Sequence, residues 1–212
     1  MEWNGLARRA RAGRSDQVSL NELELIRRCQ NGDRDAFEEL LSGYEQLIYN
    51  LTFRYFGNHH DASDLGQEAM VRVYHKIGEF NGRAAFKTWL YRVVTNLCLD
   101  ELRRRKRQTC SLEELKEKGM EPAAVFRGPE EEAEHSEQAR LIQEVLLNLS
   151  LEHRTIIILK DIEGLDYNEI ARILGCSVGT VKSRLSRARE AFRKQLAGRS
   201  RYSGLWEGRM QA

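Results

Sequence analysis

The sequence has few prolines to break helices, few cysteines to cross-link the chain and no long apolar run to cross a membrane. Its 212 residues include only two prolines, Pro122 and Pro129, and both lie in one short stretch. None of its four cysteines forms a CxxC pair, which excludes a zinc site or dithiol redox motif of that spacing and favours reduced thiols. The longest aliphatic run, Ile156 to Leu159, is too short to span a membrane, and residues 1–20 lack the apolar core of a signal peptide. We therefore expect a cytoplasmic protein with no membrane insertion.

The strand-type alternation of apolar and polar residues is also missing. From Leu20 onward, apolar residues recur at three- and four-residue steps, the period of amphipathic helices. Between Glu113 and Gln138, by contrast, nine glutamates stand against three basic residues, a composition typical of a linker. We predict an all-α protein with two small helical domains joined by a flexible acidic linker. The predicted parts are a flexible arm (1–19), the first domain (20–107), the linker (108–137), the second domain (138–197) and a tail (198–212) in which Trp206 is disordered.

The net charge of +2 identifies no partner, but its distribution is informative. From Ser177 to Arg201 there are eight Lys or Arg residues and one acid, Glu190. A basic end next to an acidic middle indicates that the second domain binds a polyanion.

The second domain has the local signals of a helix-turn-helix. Asp166 can cap one helix, Gly175 can end it in a left-handed conformation, and Ser177 can cap the next. In that next helix the apolar residues point inward, which leaves a basic face for a DNA groove. The inward residues are Val178, Val181, Leu185, Ala188 and Phe192. The candidate duplex-DNA contacts are Thr180, Lys182, Ser183, Arg184, Ser186 and Arg187. The alternative is an amphipathic helix with a solvated basic face.

The first domain carries a second candidate nucleic-acid surface, which a protein that only reads duplex DNA does not need. We expect a long helix from Ala84 to Arg105, ending in a basic run, after a loop that starts with an exposed Phe80 and is flexible through Gly82. One face of that helix has polar residues that can hold single-stranded DNA, while the Phe80 ring stacks on a base. That face consists of Thr88, Arg92, Thr95, Asn96 and Arg103. The alternative is that Phe80 and Trp89 are both core residues and the basic run is an ordinary helix end.

A further helix is expected to start at Asp61 or Ser63 and to end near Ile77, with acidic residues along one side. Asp35 is expected to cap the helix before it. Asp61, Asp64 and Glu68 either form a docking surface for a basic partner helix or only favour the helix through its dipole. No histidine or nucleophile stands at a catalytic spacing from them, and the adjacent His59 and His60 lack further metal ligands. We therefore predict no catalytic residue, no metal and no cofactor.

Four motifs in order resemble one family. They are "DAFEELLSGYEQLIYNLTFRYFGN", "DASDLGQEAMVRVYHKIGEF", "AAFKTWLYRVVTNLCLDELRRRKR" and "LLNLSLEHRTIIILKDIEGLDYNEIARILGCSVGTVKSRLSRARE". Together they span about Asp35 to Leu196 and resemble the extracytoplasmic-function group of bacterial sigma factors, the minimal type with only conserved regions 2 and 4. One departure is Gly66, where the family commonly has a larger residue; glycine there weakens a helix by about 1 kcal/mol relative to alanine.

The resemblance implies roles for each surface. The region-2 helix would dock on the coiled coil of the largest subunit of core RNA polymerase through Asp61, Asp64, Gln67 and Glu68. The loop and long helix would capture an extruded base of the −10 element through Phe80, Asn81, Gly82, Arg92 and Asn96. Region 4 would read the −35 duplex and contact the polymerase flap, and an anti-sigma factor would hold the protein inactive. The chain itself would not be an enzyme, because the polymerase makes the bonds.

Two other classes of function compete with this interpretation. A free-standing helix-turn-helix regulator, with the first domain used for sensing or dimerisation, would share the duplex-binding surface but would have no use for a base pocket. A DNA-processing enzyme such as a recombinase would need a nucleophile or an acidic metal cluster, and the sequence offers neither.

Overall fold

The computed structural model describes residues 15–116 and 133–198, and side chains within 21–108 and 139–198. These residues are helical and contain no strand, which confirms the all-α prediction. The predicted arm up to residue 14, most of the linker, and the tail with Trp206 lie outside the described residues. The α-helices are α1 (Ser15–Gln30), α2 (Arg34–Ser42), α3 (Glu45–Phe56), α4 (His59–Lys76), α5 (Phe86–Lys116), α6 (Ala133–Asn148), α7 (Leu151–Ile157), α8 (Tyr167–Leu174) and α9 (Val178–Ala197). A 3-10 turn, Ile77–Glu79, follows α4, and a π-helical turn, Ile158–Ile162, follows α7.

Two helices of the first domain start earlier than predicted. Asp33, not Asp35, is the N-cap of α2 and accepts a hydrogen bond from the Ala36 amide at 3.0 Å. Asn58, not Asp61 or Ser63, caps α4 and accepts from the Asp61 amide at 2.8 Å. In both cases the cap is the extended residue just before the first helical one, and its side chain reaches an amide three residues on. The predicted caps lie two to five residues after the observed ones.

The core of the first domain forms where α3 packs against α4. Gly66 of α4 is buried and faces α3. A Cβ placed on it would lie 3.9 Å from Ile48 Cγ2 and 4.0 Å from Thr52 Oγ1, which is ordinary van der Waals contact. The glycine is therefore not required for this close packing of helices.

The helix α5 begins two residues later and ends eleven residues later than the predicted Ala84 to Arg105. An apolar stripe runs along α5, and all five of its residues are buried: Phe86, Leu90, Val93, Val94 and Leu97. Thr88 and Thr95 were expected on the exposed polar face, but both are buried. Thr88 is covered because the second domain packs there: its hydroxyl donates to Glu169 Oε1 of α8 at 2.9 Å.

The helix-turn-helix caps in the second domain are confirmed. Asp166 and Glu169 form a reciprocal capping box at the start of α8. Gly175 ends α8 with φ 63°, in the left-handed conformation that glycine adopts without strain. Ser177 caps α9 through the Thr180 amide at 3.1 Å. The predicted inward residues Val181, Leu185, Ala188 and Phe192 are buried, while Val178 is half-buried.

The second domain also closes the carboxyl end of α3 in the first. The side-chain amide of Gln143 donates to the carbonyls of Phe53 and Arg54 at 3.2 and 3.1 Å. The Arg154 guanidinium donates to the Tyr55 carbonyl at 2.8 Å. The Phe53 carbonyl also accepts from the Gly57 amide at 2.8 Å. The second domain thus adds donors to the last carbonyls of α3, which lack the partners that the middle of a helix provides.

Candidate nucleic-acid and protein interfaces

The acidic side of α4 is exposed as predicted, except at its first residue. Asp64, Gln67 and Glu68 are exposed. Asp64 lies 3.1 Å from His60, and Glu68 lies 3.1 Å from Arg72. Val71 on the same helix is 55% exposed, which is unusual for a large aliphatic side chain in the described residues. An exposed apolar residue next to acids is a surface chemistry suited to a protein partner.

The structure gives Asp61 a different environment. Arg105 of α5 donates to its two oxygens at 2.7 and 2.8 Å, and the Asn58 amide donates at 2.7 Å. The hydrogen bonds from Arg105 lower the pKa of Asp61 to about 2. The Arg105 guanidinium also lies 5.0 Å from the Phe56 ring centroid. Asp61 therefore ties the start of α4 to α5, and its carboxylate is occupied within the chain.

The expectation that Phe80 is an exposed aromatic is wrong. Its side chain is 8% exposed, and its ring packs edge-on against Phe86 and Trp89, with 5.6 Å between ring centroids in each case. Trp89 is partly buried in the same cluster. Edge-to-face contacts of this kind stabilise a fixed arrangement of rings. Phe80 therefore packs in the core beneath the loop surface, and its ring is not available for stacking on a base.

The residues that follow Phe80 are exposed. Asn81, Gly82 and Arg83 face solvent, and Gly82 has φ +71°. The Asn81 side-chain oxygen accepts from the Arg83 amide at 3.2 Å, which closes a local turn. Arg92 and Asn96 are exposed on α5 and, four residues apart, share one helix face. Asn81, Gly82, Arg92 and Asn96 thus remain accessible to a ligand.

The basic end of α5 contains residues that pair with Glu101 and residues that line a cleft. Arg104 and Arg105 both donate to Glu101, at 2.7 Å in each case. Arg103 lies 3.5 Å from Asp100, and these two residues line a shallow cleft together with Lys106 and Arg107. The two Glu101 pairs have i,i+3 and i,i+4 spacing, so the helical period could have indicated them from the sequence.

The predicted duplex-reading face of α9 is partly engaged in local contacts. Lys182, Ser183, Ser186 and Arg187 are exposed. Thr180 is half-buried, and its hydroxyl lies 2.8 Å from that of Ser177. The remaining predicted residue, Arg184, pairs with a carboxylate oxygen of Glu152 at 2.6 Å. The face therefore presents a lysine, an arginine and two serines, with Arg184 at its edge.

Contacts with the rest of the domain fix the orientation of α9. Arg189 donates to both oxygens of Asp161 at 3.1 and 2.6 Å. The Lys182 ammonium lies 5.6 Å from the Tyr167 ring centroid of α8, a cation–π distance. Arg189 thus joins α9 to the π-helical turn, and Lys182 joins α9 to α8.

The described part of the chain shows neither a metal cluster nor a membrane span. No three His, Cys, Asp or Glu side chains within it are grouped to hold a metal ion. No helix within it has the length and apolar character needed to cross a bilayer. Three of the cysteines, Cys29, Cys98 and Cys176, are free thiols; the side chain of Cys110 lies outside the described residues.

Two family models match the chain, one to each domain. The Sigma-70 region 2 model matches residues 40–108, and the Sigma-70 region 4 model matches residues 139–192. The first match contains the acidic side of α4, the exposed loop and most of α5. The second contains the helix-turn-helix.

Relatives and solved structures agree with these matches. The chain is 39% identical over 178 residues to the ECF RNA polymerase sigma factor SigW of Bacillus subtilis (strain 168), covering 81% of this chain and 94% of that protein. It is 33% identical over 178 residues to the ECF RNA polymerase sigma-E factor of Escherichia coli (strain K12), covering 82% of this chain and 93% of that protein.

Among solved structures, the fold is similar to the sigma factor RpoE in complex with the anti-sigma factor NepR from Bartonella quintana. That match has a TM-score of 0.60 and 25% identity, and covers 76% of this chain and 96% of that one. It is also similar to CnrH in complex with the cytosolic domain of CnrY, with a TM-score of 0.61 and 26% identity, covering 85% and 99% of the two chains. With both regions matched in order, the chain belongs to the extracytoplasmic-function sigma factors of RNA polymerase.

Proposed function

We propose that this sigma factor divides promoter opening among three surfaces on its two domains. As a sigma factor it binds core RNA polymerase and directs it to promoters. Three surfaces would share that work: the exposed side of α4, the loop after Phe80 with the adjoining face of α5, and the exposed face of α9. The observation that carries the proposal is that each is solvent-exposed and chemically suited to a different partner.

The first surface docks on core polymerase. Asp64, Gln67 and Glu68 are exposed beside the apolar Val71, so they can meet a basic helix with an apolar centre. Asp61, engaged by Arg105, contributes by fixing the start of α4 and not by direct contact. The partner is the coiled coil of the largest polymerase subunit.

The second surface captures a base of the −10 element. Extruding a base from the duplex costs a few kcal/mol, and a pocket that hydrogen-bonds its edge offsets this cost. Asn81, Gly82, Arg92 and Asn96 provide amide donors and acceptors, a close backbone approach and a positive charge. Arg103, Lys106 and Arg107 extend the positive charge along α5, where they can attract the displaced strand.

The third surface reads the −35 duplex, while its domain also contacts the polymerase flap. Lys182 and Arg187 supply positive charge, and the serines between them permit a close approach to the groove. Because −35 and −10 positions are about 25 base pairs apart, the two elements are separated by roughly 85 Å of duplex at 3.4 Å per base pair. The domains contact each other here, and we propose that they separate when both elements are bound.

The regulatory partner is an anti-sigma factor, as in the solved relatives that carry one. The protein does no bond chemistry itself, since the polymerase makes the transcript, and it works in the cytoplasm, where polymerase and DNA are. The regions that perform these tasks are the predicted domains 20–107 and 138–197.

Promoter opening tests the proposal. The purified chain is mixed with sigma-free core polymerase on genomic promoter fragments, and unpaired thymines are detected with permanganate beside run-off transcripts. We expect thymine reactivity and transcripts only when both components are present. Specific duplex binding by the chain alone, with no complex formed with core, would instead identify a free-standing helix-turn-helix regulator.

A further inference from the structure

Gln30, the last residue of α1, lies outside the surfaces assigned above but contacts the segment that leads into one of them. It is ten residues before the start of the region 2 match at residue 40. Its side-chain nitrogen Nε2 donates to the carbonyl oxygen of Ile77 at 2.9 Å and to that of Phe80 at 2.7 Å. The acceptors are 47 and 50 residues away in sequence, so these contacts join α1 to the start of the exposed loop after Phe80.

The contacts at this position favour a side-chain donor, although Gln30 as a whole is exposed. Both neighbours are backbone carbonyls, which only accept hydrogen bonds, and a primary amide has two hydrogens to offer them. A glutamate of the same shape would place an acceptor against two acceptors. The Gln30 side-chain amide is oriented with its nitrogen toward the two carbonyls, because only the nitrogen can donate to them.

These hydrogen bonds fix the backbone just before the exposed residues of the loop. The Phe80 amide donates to the Ile77 carbonyl at 3.1 Å, and the Phe80 ring is held by Phe86 and Trp89. Gln30 holds the remaining polar group of Phe80, its carbonyl. The peptide that starts Asn81 is therefore fixed in place, and the local turn between Asn81 and Arg83 begins from it.

We propose that Gln30 is a positioning residue for −10 recognition, which holds the Phe80–Asn81 peptide so that the exposed loop is preformed for base capture. The inference rests on the proposed function, because it assigns the loop a role in capturing a base. A preformed loop loses less conformational freedom when the base enters, so the binding free energy is greater for the same contacts. Gln30 itself touches no DNA in this arrangement; it acts through the loop.

The decisive variant is Gln30→Glu, which keeps the shape and removes both donors. Its matched control is Gln46→Glu on α3, an exposed glutamine whose amide donates to the exposed Asn50 at 2.8 Å. The control introduces the same negative charge on the same domain, away from the loop. Gln30→Lys, which retains donors, serves as a partial rescue, and Gln30→Met removes the donors without adding charge.

Each full-length variant is assembled with core polymerase on a promoter fragment that the parent opens. We expect Gln30→Glu and Gln30→Met to lower the permanganate-detected opening rate about tenfold, the effect of weakening two neutral hydrogen bonds. Gln46→Glu should stay within about twofold of the parent, and Gln30→Lys should fall between them. On forked templates with single-base changes at the captured position, the Gln30→Glu complex should discriminate less between bases, which a general loss of stability would not cause. Duplex binding and the thermal midpoint of the free protein are followed as folding controls.

The outcomes separate the positioning role of Gln30 from the proposed function. If the parent opens promoters and both Gln30→Glu and Gln30→Met open them equally fast with unchanged base preference, the positioning role is wrong and the proposed function stands. If both variants open promoters slowly but discriminate between bases as the parent does, Gln30 is only a structural residue and the inference is overturned. If the parent itself opens no promoter with core, the proposed function fails and the positioning role fails with it.

Discussion

Arg154 of α7 donates a hydrogen bond from Nη1 to the backbone carbonyl of Tyr55, 2.8 Å away at the end of α3. The same guanidinium donates to Leu146 and Leu147 carbonyls at 3.0 and 2.6 Å. Burial lowers the pKa of Arg154 from its usual range, but an arginine remains charged at any physiological pH. One side chain thus joins the turn between α6 and α7 to the first domain.

Replacing Arg154 by methionine should reduce the stability of the whole chain. The change leaves partly buried carbonyls without a donor, so we expect the free energy of unfolding to fall by about 2–4 kcal/mol. Urea denaturation followed by circular dichroism measures this. Arg172→Met is the control, since Arg172 is exposed on α8, and it should change stability by less than about 0.5 kcal/mol. Equal effects of the two changes would show that the Arg154 contacts contribute nothing.

The ion pair between Asp61 and Arg105 should make stability depend on pH in the acid range. The folded pKa of Asp61 is about 2, below its usual 3.8, so its contribution is present above the usual value and is lost as the pH falls through about 2. Because the Arg105 side chain is 41% exposed, solvent screening reduces the contribution to about 1 kcal/mol. Asp61→Asn should therefore be less stable than the parent at pH 6, and the difference should shrink between pH 4 and pH 2.

Denaturation curves at several pH values check this prediction. Asp64→Asn is the matched control, since Asp64 is exposed on the same helix and pairs with His60, itself exposed. Its difference from the parent should stay small over the whole acid range. A constant Asp61→Asn difference from pH 6 to pH 2 would contradict the role given to the ion pair.

The same substitution at two glycines should have opposite effects on stability. Gly66→Ala adds a Cβ at ordinary contact distance inside a helix and should stabilise the fold by about 0.5–1 kcal/mol. Gly57→Ala adds one at φ +73°, where it would lie 2.4 Å from Leu147 Cδ1, and should destabilise by more than about 1 kcal/mol. Thermal unfolding of both variants tests this, and a destabilised Gly66→Ala would mean that α3 and α4 cannot tolerate the added methyl group.

A structural feature can be predicted from the sequence when the interactions that cause it join residues close together in the chain. The helix-turn-helix was predictable because Asp166, Gly175 and Ser177 each act within a few residues of their position. The occupied carboxylate of Asp61 was not, since it depends on Arg105, 44 residues away. For Phe80 the sequence left an exposed ring and a core residue as alternatives, because its burial depends on packing against Trp89. The burial of Thr88 depends on the second domain, which no helical period in the first can indicate.

Asn96→Ala should impair promoter opening while leaving duplex binding intact. Asn96 is exposed on the α5 face next to the loop and can bind a base edge only after the base leaves the duplex. We expect opening with core polymerase to slow by about tenfold or more, the loss of one to two good hydrogen bonds. Permanganate reactivity measures opening, and a mobility-shift assay measures binding of the full chain to −35 duplex. Equal loss in both assays would contradict a division of labour between the domains.

Arg187→Ala and Arg189→Ala should separate duplex recognition from folding within one turn of α9. Arg187 is exposed on the predicted reading face, whereas Arg189 donates to both oxygens of Asp161. If Arg187 contacts a base edge, its loss should weaken binding to the −35 duplex by about 1–3 kcal/mol and relax sequence preference at one position. If it contacts a phosphate, binding should weaken uniformly across sequences. The slope of the logarithm of the binding constant against the logarithm of the salt concentration should then become shallower by about one. Neither case changes the thermal midpoint.

Arg189→Ala should instead destabilise the second domain by about 1–2 kcal/mol, because Asp161 is left partly buried without its partner. At temperatures well below unfolding, its duplex affinity should stay within about twofold of the parent, since Arg189 faces the π-helical turn and not the groove. Fluorescence anisotropy over a series of salt concentrations, with thermal melts of the same samples, resolves the two effects. Unchanged duplex affinity for Arg187→Ala, or a large loss for Arg189→Ala at full folding, would mean that a different face of α9 enters the groove.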